Sequence, residues 1–392
     1  MKSSANAMPL SRRVTEMKQY SISKFFDIAA TMKDVISLGI GEPDFGSPQP
    51  VLQAGIDSLN QGETHYTANA GKLALRQAIA DHLERLYGVR YDPATEILVT
   101  VGVSEGLYLT MNALLDPGDE VILPTPTFVS YPIQAALAGG VPVEVPGRAE
   151  DGFALDPDRI RAAVTPRTKA IVLGYPNNPT GAVASRASLL QVALIAAQHN
   201  LFLVSDEIYD RLVYGVPHVC VPGLGEDVRR RTILLGGFSK DYAMTGLRIG
   251  YAAAPQAILK GLVRIHQYTV MSASTTSQDA ARAALLTGEP AVAQMVAEYD
   301  RRRRLIVPGL NRLGLATSEP RGAFYAFARV GVAGMDDETF SEVLLREEHV
   351  AVVPGDNFGA AGQGFVRLSY ATAYEKIEEA LRRMERFMSR HG

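Results

Sequence analysis

The stretch LGGFSKDYAMTGLRIGY (235–251) places one lysine, Lys240, among small and apolar residues, with an arginine, Arg248, eight positions later. A protonated lysine is a poor nucleophile, but an apolar setting or a nearby cation lowers its pKa and frees the amine to react with a carbonyl. The flanking glycines let the backbone pass close to a bulky ligand. The stretch therefore predicts a reactive lysine, and a surface lysine beside a glycine-rich turn is the alternative.

A turn after the apolar, β-branched segment 97–101 is the second candidate feature. There Gly102-Val103-Ser104-Glu105-Gly106 opens a predicted helix that runs to residue 115, and a helix N-terminus offers free N–H groups to a phosphate. The pattern fits neither G-x-G-x-x-G nor a Walker loop, so it does not support nucleotide binding. Arg248, predicted to enter a strand between apolar residues, needs an anion, and a phosphate is the partner we expect.

Polar residues also follow two predicted strands. Asp206 comes after the strand 201–204, and Asn178 lies in the turn YPNNPTG (175–181) after the strand 169–174. Open α/β sheets bind ligands at the carboxyl ends of their strands. The alternative for Ser205 or Asp206 is a helix N-cap, with Tyr209 one helical step further along.

Together these motifs resemble those of class I aminotransferases, pyridoxal-phosphate (PLP) enzymes of the aspartate aminotransferase fold. The run S-K-D-Y-A-M-T-G-L-R-I-G is similar to their lysine signature. The likeness extends from about Met17 to the C-terminus through further motifs: GIGEPDF, HYTANAG, LDPGDEV, PTPTFVSY, YPNNPTG, SDEIYD, GAFY and FVRLSYATA. The resemblance is greatest to archaeal aromatic aminotransferases. It implies an α/β PLP-dependent transferase fold, in which a large domain has a mixed, mostly parallel sheet between helices and a smaller α/β domain follows.

The resemblance also implies roles for individual residues. Lys240 would hold PLP covalently and act as general acid and base, and Asp206 would face the pyridine nitrogen. Phe128, on a predicted helix, would stack on the ring where other members have Trp or Tyr. The resemblance also implies that the phosphate is bound by the N–H groups of Val103 and Ser104, with Ser239 and Arg248. Asn178 and Tyr209 would hydrogen-bond to the phenolic oxygen. In a homodimer, Tyr66 would reach the cofactor phosphate of the neighbouring subunit. Gly237 stands where several relatives carry a phosphate-binding serine.

For the substrate, the resemblance implies that Arg367 binds the α-carboxylate. Its guanidinium fork matches two carboxylate oxygens. Asn178 and the loop at Ile40 and Gly41 would lie beside it, with the Gly41 N–H near the carboxylate.

A few further residues bear on which amino-acid side chain the substrate carries. By resemblance, Phe128, Tyr20, Phe25 and Phe26 favour an aromatic-accepting pocket. Aspartate-specific relatives are expected to carry an arginine near 267–278, and this chain has none there. We therefore expect aromatic amino acids first, followed by alanine, aspartate or an N-acyl diamino acid.

These residues predict ping-pong transfer of an amino group from an L-amino acid to a 2-oxo acid such as 2-oxoglutarate. The same anchoring residues would also serve a PLP-dependent C–S lyase, decarboxylase or racemase. A non-enzymatic alternative is the PLP-binding effector domain of a transcription regulator. That protein needs a DNA-binding module, for which we expect no room before Met17.

The composition of the chain argues against several classes of partner and site. A net charge of −3 and a pI near 6.2 give no reason to expect nucleic acid or an anionic membrane. Seven histidines without ligand spacing and a single cysteine, Cys220, predict neither a metal site nor an intramolecular disulfide. No apolar stretch is long enough to span a bilayer or to form a signal peptide, so we expect a cytoplasmic protein.

At 392 residues, the chain predicts two lobes. We expect an N-terminal segment and part of the small domain at 1–43, the large PLP-binding domain at 44–295 and the small domain at 296–392. A long helix over 292–313 would link the lobes, with Arg301–Arg304 forming a solvated face. Other predicted elements include a helix at 23–31 and strands at 323–328, 350–353 and 365–370.

Overall fold

The computed structural model describes residues 10–17, 28, 31–332 and 334–392 of the chain. Most of the predicted helix at 23–31 lies outside these residues. The same holds for Tyr20, Phe25 and Phe26, which were predicted to favour an aromatic substrate.

The described residues form a series of helices and strands that largely matches the predicted alternation. The strands are β1 (Ile36–Ser37), β2 (Ile97–Thr100), β3 (Glu120–Thr125), β4 (Val141–Pro146), β5 (Thr168–Gly174), β6 (Phe202–Asp206), β7 (Thr232–Gly237), β8 (Gly250–Ala253), β9 (Tyr325–Arg329), β10 (Val350–Ala351), β11 (Val353–Pro354) and β12 (Phe365–Ser369). The α-helices are α1 (Arg12–Thr15), α2 (Gln49–Asn60), α3 (Leu73–Tyr87), α4 (Gly102–Leu114), α5 (Ser130–Leu137), α6 (Pro157–Ala163), α7 (Arg186–Gln198), α8 (Glu226–Arg229), α9 (Gln256–Thr269), α10 (Thr275–Thr287), α11 (Glu289–Arg312), α12 (Asp337–Glu348) and α13 (Tyr374–His391).

Local sequence explains several helix ends. Helix α6 begins after Asp156, whose carboxylate accepts hydrogen bonds from two N–H groups of the first turn. Asp336 does the same for one N–H at the start of α12. These contacts satisfy backbone donors that have no partner inside the helix. Helix α3 ends at Gly88, which adopts the left-handed conformation common at helix C-termini.

The large sheet has seven strands in the order β2-β8-β7-β6-β5-β3-β4. Its pairs are parallel except for those made by β8, which runs antiparallel to both β2 and β7. The central strands are buried on both faces, as their continuous apolar sequences predict. This arrangement confirms the predicted α/β fold with a mixed, mostly parallel sheet.

Because β8 runs opposite to its neighbours, its first residues lie beside the last residues of the parallel strands. The carboxyl ends of β2, β3, β5, β6 and β7 lie at that edge, and the reversed β8 begins there. The residues just before β8 therefore come close to those just after β2. Hence two stretches far apart in sequence meet where ligands bind in α/β sheets.

A smaller antiparallel sheet, β11-β12-β9, follows in the C-terminal part of the chain. The predicted strand at 350–353 was wrong as one element. Its first half, β10, pairs with β1, whereas β11 pairs with β12. Strand β1 of the N-terminal segment thus pairs with a C-terminal strand, and the domain ranges 1–43, 44–295 and 296–392 stay predictions.

The arginine run on α11 matches its predicted solvated face only at Arg301 and Arg304, which are exposed. Arg302 and Arg303 are only 5% and 7% exposed. Arg302 donates to Asp44 at 2.8 Å, and Arg303 donates to Asp300 at 2.6 Å. The run therefore contains two buried, ion-paired arginines, and Arg302 through Asp44 and Arg303 through Glu319 connect α11 to neighbouring segments.

Across the described part of the chain, no helix has the length and apolar character needed to cross a membrane.

Candidate active site

A cavity of about 580 Å³ opens at the carboxyl edge of the large sheet. Its lining includes every predicted site residue except Tyr66: Ile40, Gly41, Val103, Ser104, Phe128, Asn178, Asp206, Tyr209, Ser239, Lys240, Arg248 and Arg367. Residues separated by more than 300 positions thus meet at one place. Tyr66 is 80% exposed and lies outside this lining.

Lys240 follows β7 and reaches into the cavity, where its Nζ donates to the backbone oxygen of Gly41 at 2.6 Å. Burial, with Arg367 nearby, lowers the pKa of Lys240 to about 8. An amine with this pKa is partly unprotonated near neutral pH and can act as a nucleophile or base. The surface-lysine alternative is therefore wrong.

Asp206 is the last residue of β6 and is buried in the same cavity. Its Oδ2 accepts from the Tyr131 hydroxyl at 2.8 Å, and its Oδ1 accepts from the Ile208 N–H at 3.2 Å. Burial raises the pKa of Asp206 to about 6, while the Tyr131 hydrogen bond opposes that rise. The residues after β6 form a turn, so the helix-cap alternative for Ser205 and Asp206 is wrong.

Tyr131, on α5, was not among the predicted site residues. Its hydroxyl passes directly over Gly174, where a Cβ would lie 2.5 Å from the Tyr131 oxygen. Gly174 pairs with Asp206 across β5 and β6, so the missing side chain opens the path to the carboxylate. The only signal in the sequence is that Tyr131 closes the motif PTPTFVSY.

Replacing Tyr131 with phenylalanine is expected to raise the pKa of Asp206 further. A hydrogen bond to a charged group contributes about 1.5–3 kcal/mol, which corresponds to roughly one to two pKa units. The titration can be followed by carbon-13 NMR of aspartate-labelled protein, with the signal assigned from Asp206→Asn. Tyr108→Phe, which alters a half-buried hydroxyl outside the cavity, is the control. An unchanged Asp206 titration in Tyr131→Phe would contradict this account.

Helix α4 begins at Gly102 and presents its N-terminal turn to the cavity through Val103 and Ser104. Arg248 was predicted to enter a strand, but it lies just before β8. Its guanidinium donates to the Thr245 backbone oxygen at 2.9 Å. It is exposed, so it does not carry the burial cost that we expected for it. A Cβ on Gly102 would lie 2.8 Å from the Arg248 Nη2. The helix N-terminus and a guanidinium therefore form one anion-binding corner.

Substituting Gly102 with alanine is expected to weaken binding of a phosphate monoester such as PLP by about tenfold to a hundredfold. The left-handed φ of +71° disfavours a side chain, and the new methyl would displace Arg248. Isothermal titration calorimetry measures the effect. Gly118→Ala imposes the same backbone strain with no neighbour within 4 Å, so it should leave phosphate affinity unchanged. Equal affinities in Gly102→Ala and Gly118→Ala would contradict the role of this corner.

Arg367 lies on β12 of the smaller sheet and lines the same cavity. Its Nη1 donates to Asn178 Oδ1 at 2.8 Å, and its Nη2 donates to the Gly39 backbone oxygen at 2.6 Å. Its Nε is buried without a hydrogen-bond partner among the described residues. A buried guanidinium with neutral partners and a free donor is suited to bind a carboxylate.

Two aromatic residues differ from their predicted setting. Tyr209 lies in a turn rather than one helical step from Asp206, and its hydroxyl is 2.8 Å from that of Tyr325. Phe128 lies in the connection before α5, not on a helix, and packs edge-on against Tyr131 with ring centroids 5.7 Å apart. Tyr325 was missed as a site residue, although it ends the motif GAFY.

Comparisons with known proteins agree with this arrangement. The family model for aminotransferase class I and II matches residues 33–384. The chain is 46% identical to an aspartate aminotransferase of Pyrococcus abyssi, with 97% of this chain and 98% of the relative covered. It is 43% identical to aromatic-amino-acid aminotransferase 2 of Thermococcus litoralis, at the same coverage.

A solved structure gives the same result. The crystal structure of an aromatic aminotransferase from Pyrococcus horikoshii superposes with a TM-score of 0.89 at 45% identity, covering 94% of this chain and 99% of the other. Both the sequence and the fold are thus shared over almost the full length. The chain belongs to the class I and II aminotransferases.

Proposed function

We propose that this aminotransferase uses PLP to move an amino group from an L-amino acid, aromatic or of broad range, to a 2-oxo acid such as 2-oxoglutarate. The observation that carries the proposal is the lining of one cavity by the Lys240 amine, with its lowered pKa, and the buried Asp206 carboxylate. These two groups match the two reactive positions of pyridoxal, its aldehyde and its ring nitrogen.

The remaining cavity groups fit the rest of the cofactor. The N-terminus of α4 and Arg248 form a corner that suits the phosphate, and Ser239 also lines the cavity. Asn178 and Tyr209 supply polar groups for the phenolic oxygen, and Phe128 supplies a flat apolar face. When bound, PLP supplies an electron sink for the pair left behind when the substrate's α-proton departs.

The chain's own residues then have distinct tasks. Arg367 holds the substrate carboxylate, exchanging its neutral partners Asn178 and Gly39 for a charged one. That contact orients the bond from Cα to hydrogen, and orientation decides which bond breaks. Lys240, as an amine with a pKa near 8, would accept the proton from Cα as general base and then, as general acid, donate it to a different carbon, because its return to Cα would only regenerate the amino acid. Asp206 must be ionised to hold a protonated ring nitrogen, so activity is expected to fall as the pH drops through about 6.

The apolar part of the cavity supports aromatic donors first. Ile40, Phe128 and Val129 contribute apolar surface to the lining. The relatives are named both as aspartate and as aromatic aminotransferases, so alanine, aspartate or an N-acyl diamino acid are the alternative donors.

A panel of L-amino acids with 2-oxoglutarate tests the proposal. We expect stoichiometric formation of glutamate and a 2-oxo acid, with higher kcat/KM for phenylalanine and tyrosine than for aspartate and alanine. A higher value for aspartate would overturn the donor order alone. Release of ammonia without glutamate would overturn transamination and favour the lyase.

A homodimer is part of the proposal, supported by the exposure of Tyr66. The backbone oxygen of its neighbour, His65, accepts from Thr275 at 2.6 Å, so the loop is held in place while the Tyr66 ring points outward. Exposed Tyr268, in the last turn of α9, and exposed Met271, just after that helix, add apolar surface. Sedimentation equilibrium should give twice the chain mass of 42.3 kDa, and a monomer that retains full activity would exclude a shared site.

A further inference from the structure

A pair of buried carboxyl groups includes the residue that follows the proposed catalytic lysine in the chain. Asp241 follows Lys240 in the chain, and Asp210 follows Tyr209. The two residues are only 3% and 8% exposed, and their carboxyl groups lie close enough to each other to interact. Both line a small enclosed cavity together with Gly237, the last residue of β7. The pair therefore connects the segment that carries Lys240 with the turn that carries Tyr209.

A hydrogen bond between two carboxyl groups requires a proton on one of them, because a carboxylate only accepts. Asp210 already accepts the Tyr87 hydroxyl at 2.6 Å through its Oδ2. In contrast, no donor among the described residues reaches the buried Oδ1 of Asp241. A second negative charge at Asp241 would be buried without a donor to stabilise it. The proton therefore belongs on Asp241.

Near the pair, the described part of the chain offers no cation that is free to balance such a charge. From the turn after β6, Arg211 donates to Glu289 of α11 at 3.0 Å and through a second bond. From α3, Arg85 donates to the Nδ1 of His82 at 3.3 Å, and burial lowers the pKa of His82 to about 4. His82 is therefore neutral at physiological pH. The tyrosines Tyr242 and Tyr251 complete the surroundings and stay protonated, because burial raises the pKa of both.

We propose that Asp241 is a permanently protonated acid that donates to the Asp210 carboxylate, and that this bond positions Lys240 relative to Tyr209 and Asp206. Burial next to Asp210 raises the pKa of Asp241 well above its usual range, in agreement with the geometry. Asp241 is a positioning residue, since it touches neither substrate nor cofactor space. The protonation of Asp241 is independent of the proposed function, whereas its role in positioning Lys240 rests on that function.

The proton has a consequence for stability. In the unfolded chain Asp241 ionises near pH 4, whereas the folded chain keeps the proton, so unfolding releases it. Relative to Asp241→Asn, the unfolding constant of the wild type should rise about tenfold per pH unit above about pH 4. This rise ends where the folded Asp241 itself ionises.

The first experiment detects the proton by infrared spectroscopy. The difference spectrum of wild type minus Asp241→Asn at pH 8, where Asp206 is ionised, should contain a protonated carboxyl C=O band. The same difference with Asp81→Asn, an exposed aspartate, should contain none. Absence of the band in the first difference, or urea-unfolding constants whose ratio does not change with pH, would overturn the proposal regardless of enzymatic activity.

The second experiment tests the positioning. In Asp241→Asn the amide donates permanently to Asp210, so PLP affinity and kcat at pH 7 should stay within about threefold of wild type. In Asp241→Ala the bond is lost, and both should fall at least tenfold. Equal losses in the two variants would overturn the positioning role while leaving the infrared result and the proposed function intact.

Discussion

Replacing Lys240 with alanine is expected to lower kcat for amino transfer by on the order of 10⁴ or more. General acid and base catalysis alone contributes about 10² to 10⁴, and the covalent contact is lost as well. Among the residues that the structure describes, Lys240 is the only lysine lining the cavity, so no described neighbour can replace it. The measurement is kcat with a preferred donor and 2-oxoglutarate, at saturating PLP.

Two further variants make this result specific. Lys240→Arg keeps a cation at the position but has no free amine near neutral pH, so it should be as inactive as Lys240→Ala. Lys260→Ala removes an exposed lysine on α9 and should behave as wild type. Activity of Lys240→Arg within tenfold of wild type would show that charge, rather than a reactive amine, is what the site needs.

Changing Asp206 to asparagine is expected to lower kcat by on the order of 10³. The amide keeps the shape and can still meet Tyr131, but it has no charge to hold a protonated ring nitrogen. Removing one preorganised electrostatic contact costs about 10² to 10³ in rate, and burial of Asp206 places it at the upper end. Asp81→Asn is the surface control. A fall of less than tenfold in Asp206→Asn would exclude this carboxylate as the partner of the ring.

The sequence predicted the parts of the site that depend on strand order. Asp206 ends an apolar strand, Asn178 and Lys240 each follow one, and the carboxyl ends of parallel strands lie together. The approximate places of these residues therefore followed from local pattern. The resemblance to a family added Arg367, which lies on a separate sheet and could not be linked to them by spacing.

Contacts between distant side chains were not predictable in this way. Tyr131 reaches Asp206 because Gly174 leaves room between them, and no periodicity in the sequence encodes that path. Arg302 and Arg303 look like a solvated run until α11 is packed against Asp44 and Glu319. The segment 350–353 reads as one strand, but its two halves join different sheets. In each case tertiary packing, rather than local propensity, decides the outcome.

The central claim is that the amine of Lys240 is the group that bonds to PLP. The most direct test is to load the purified protein with PLP, reduce it with borohydride, digest it and locate the added mass by mass spectrometry. We predict that the label is found on the peptide containing Lys240 and on no other lysine. A label on a different lysine, or no label after loading, would contradict the claim.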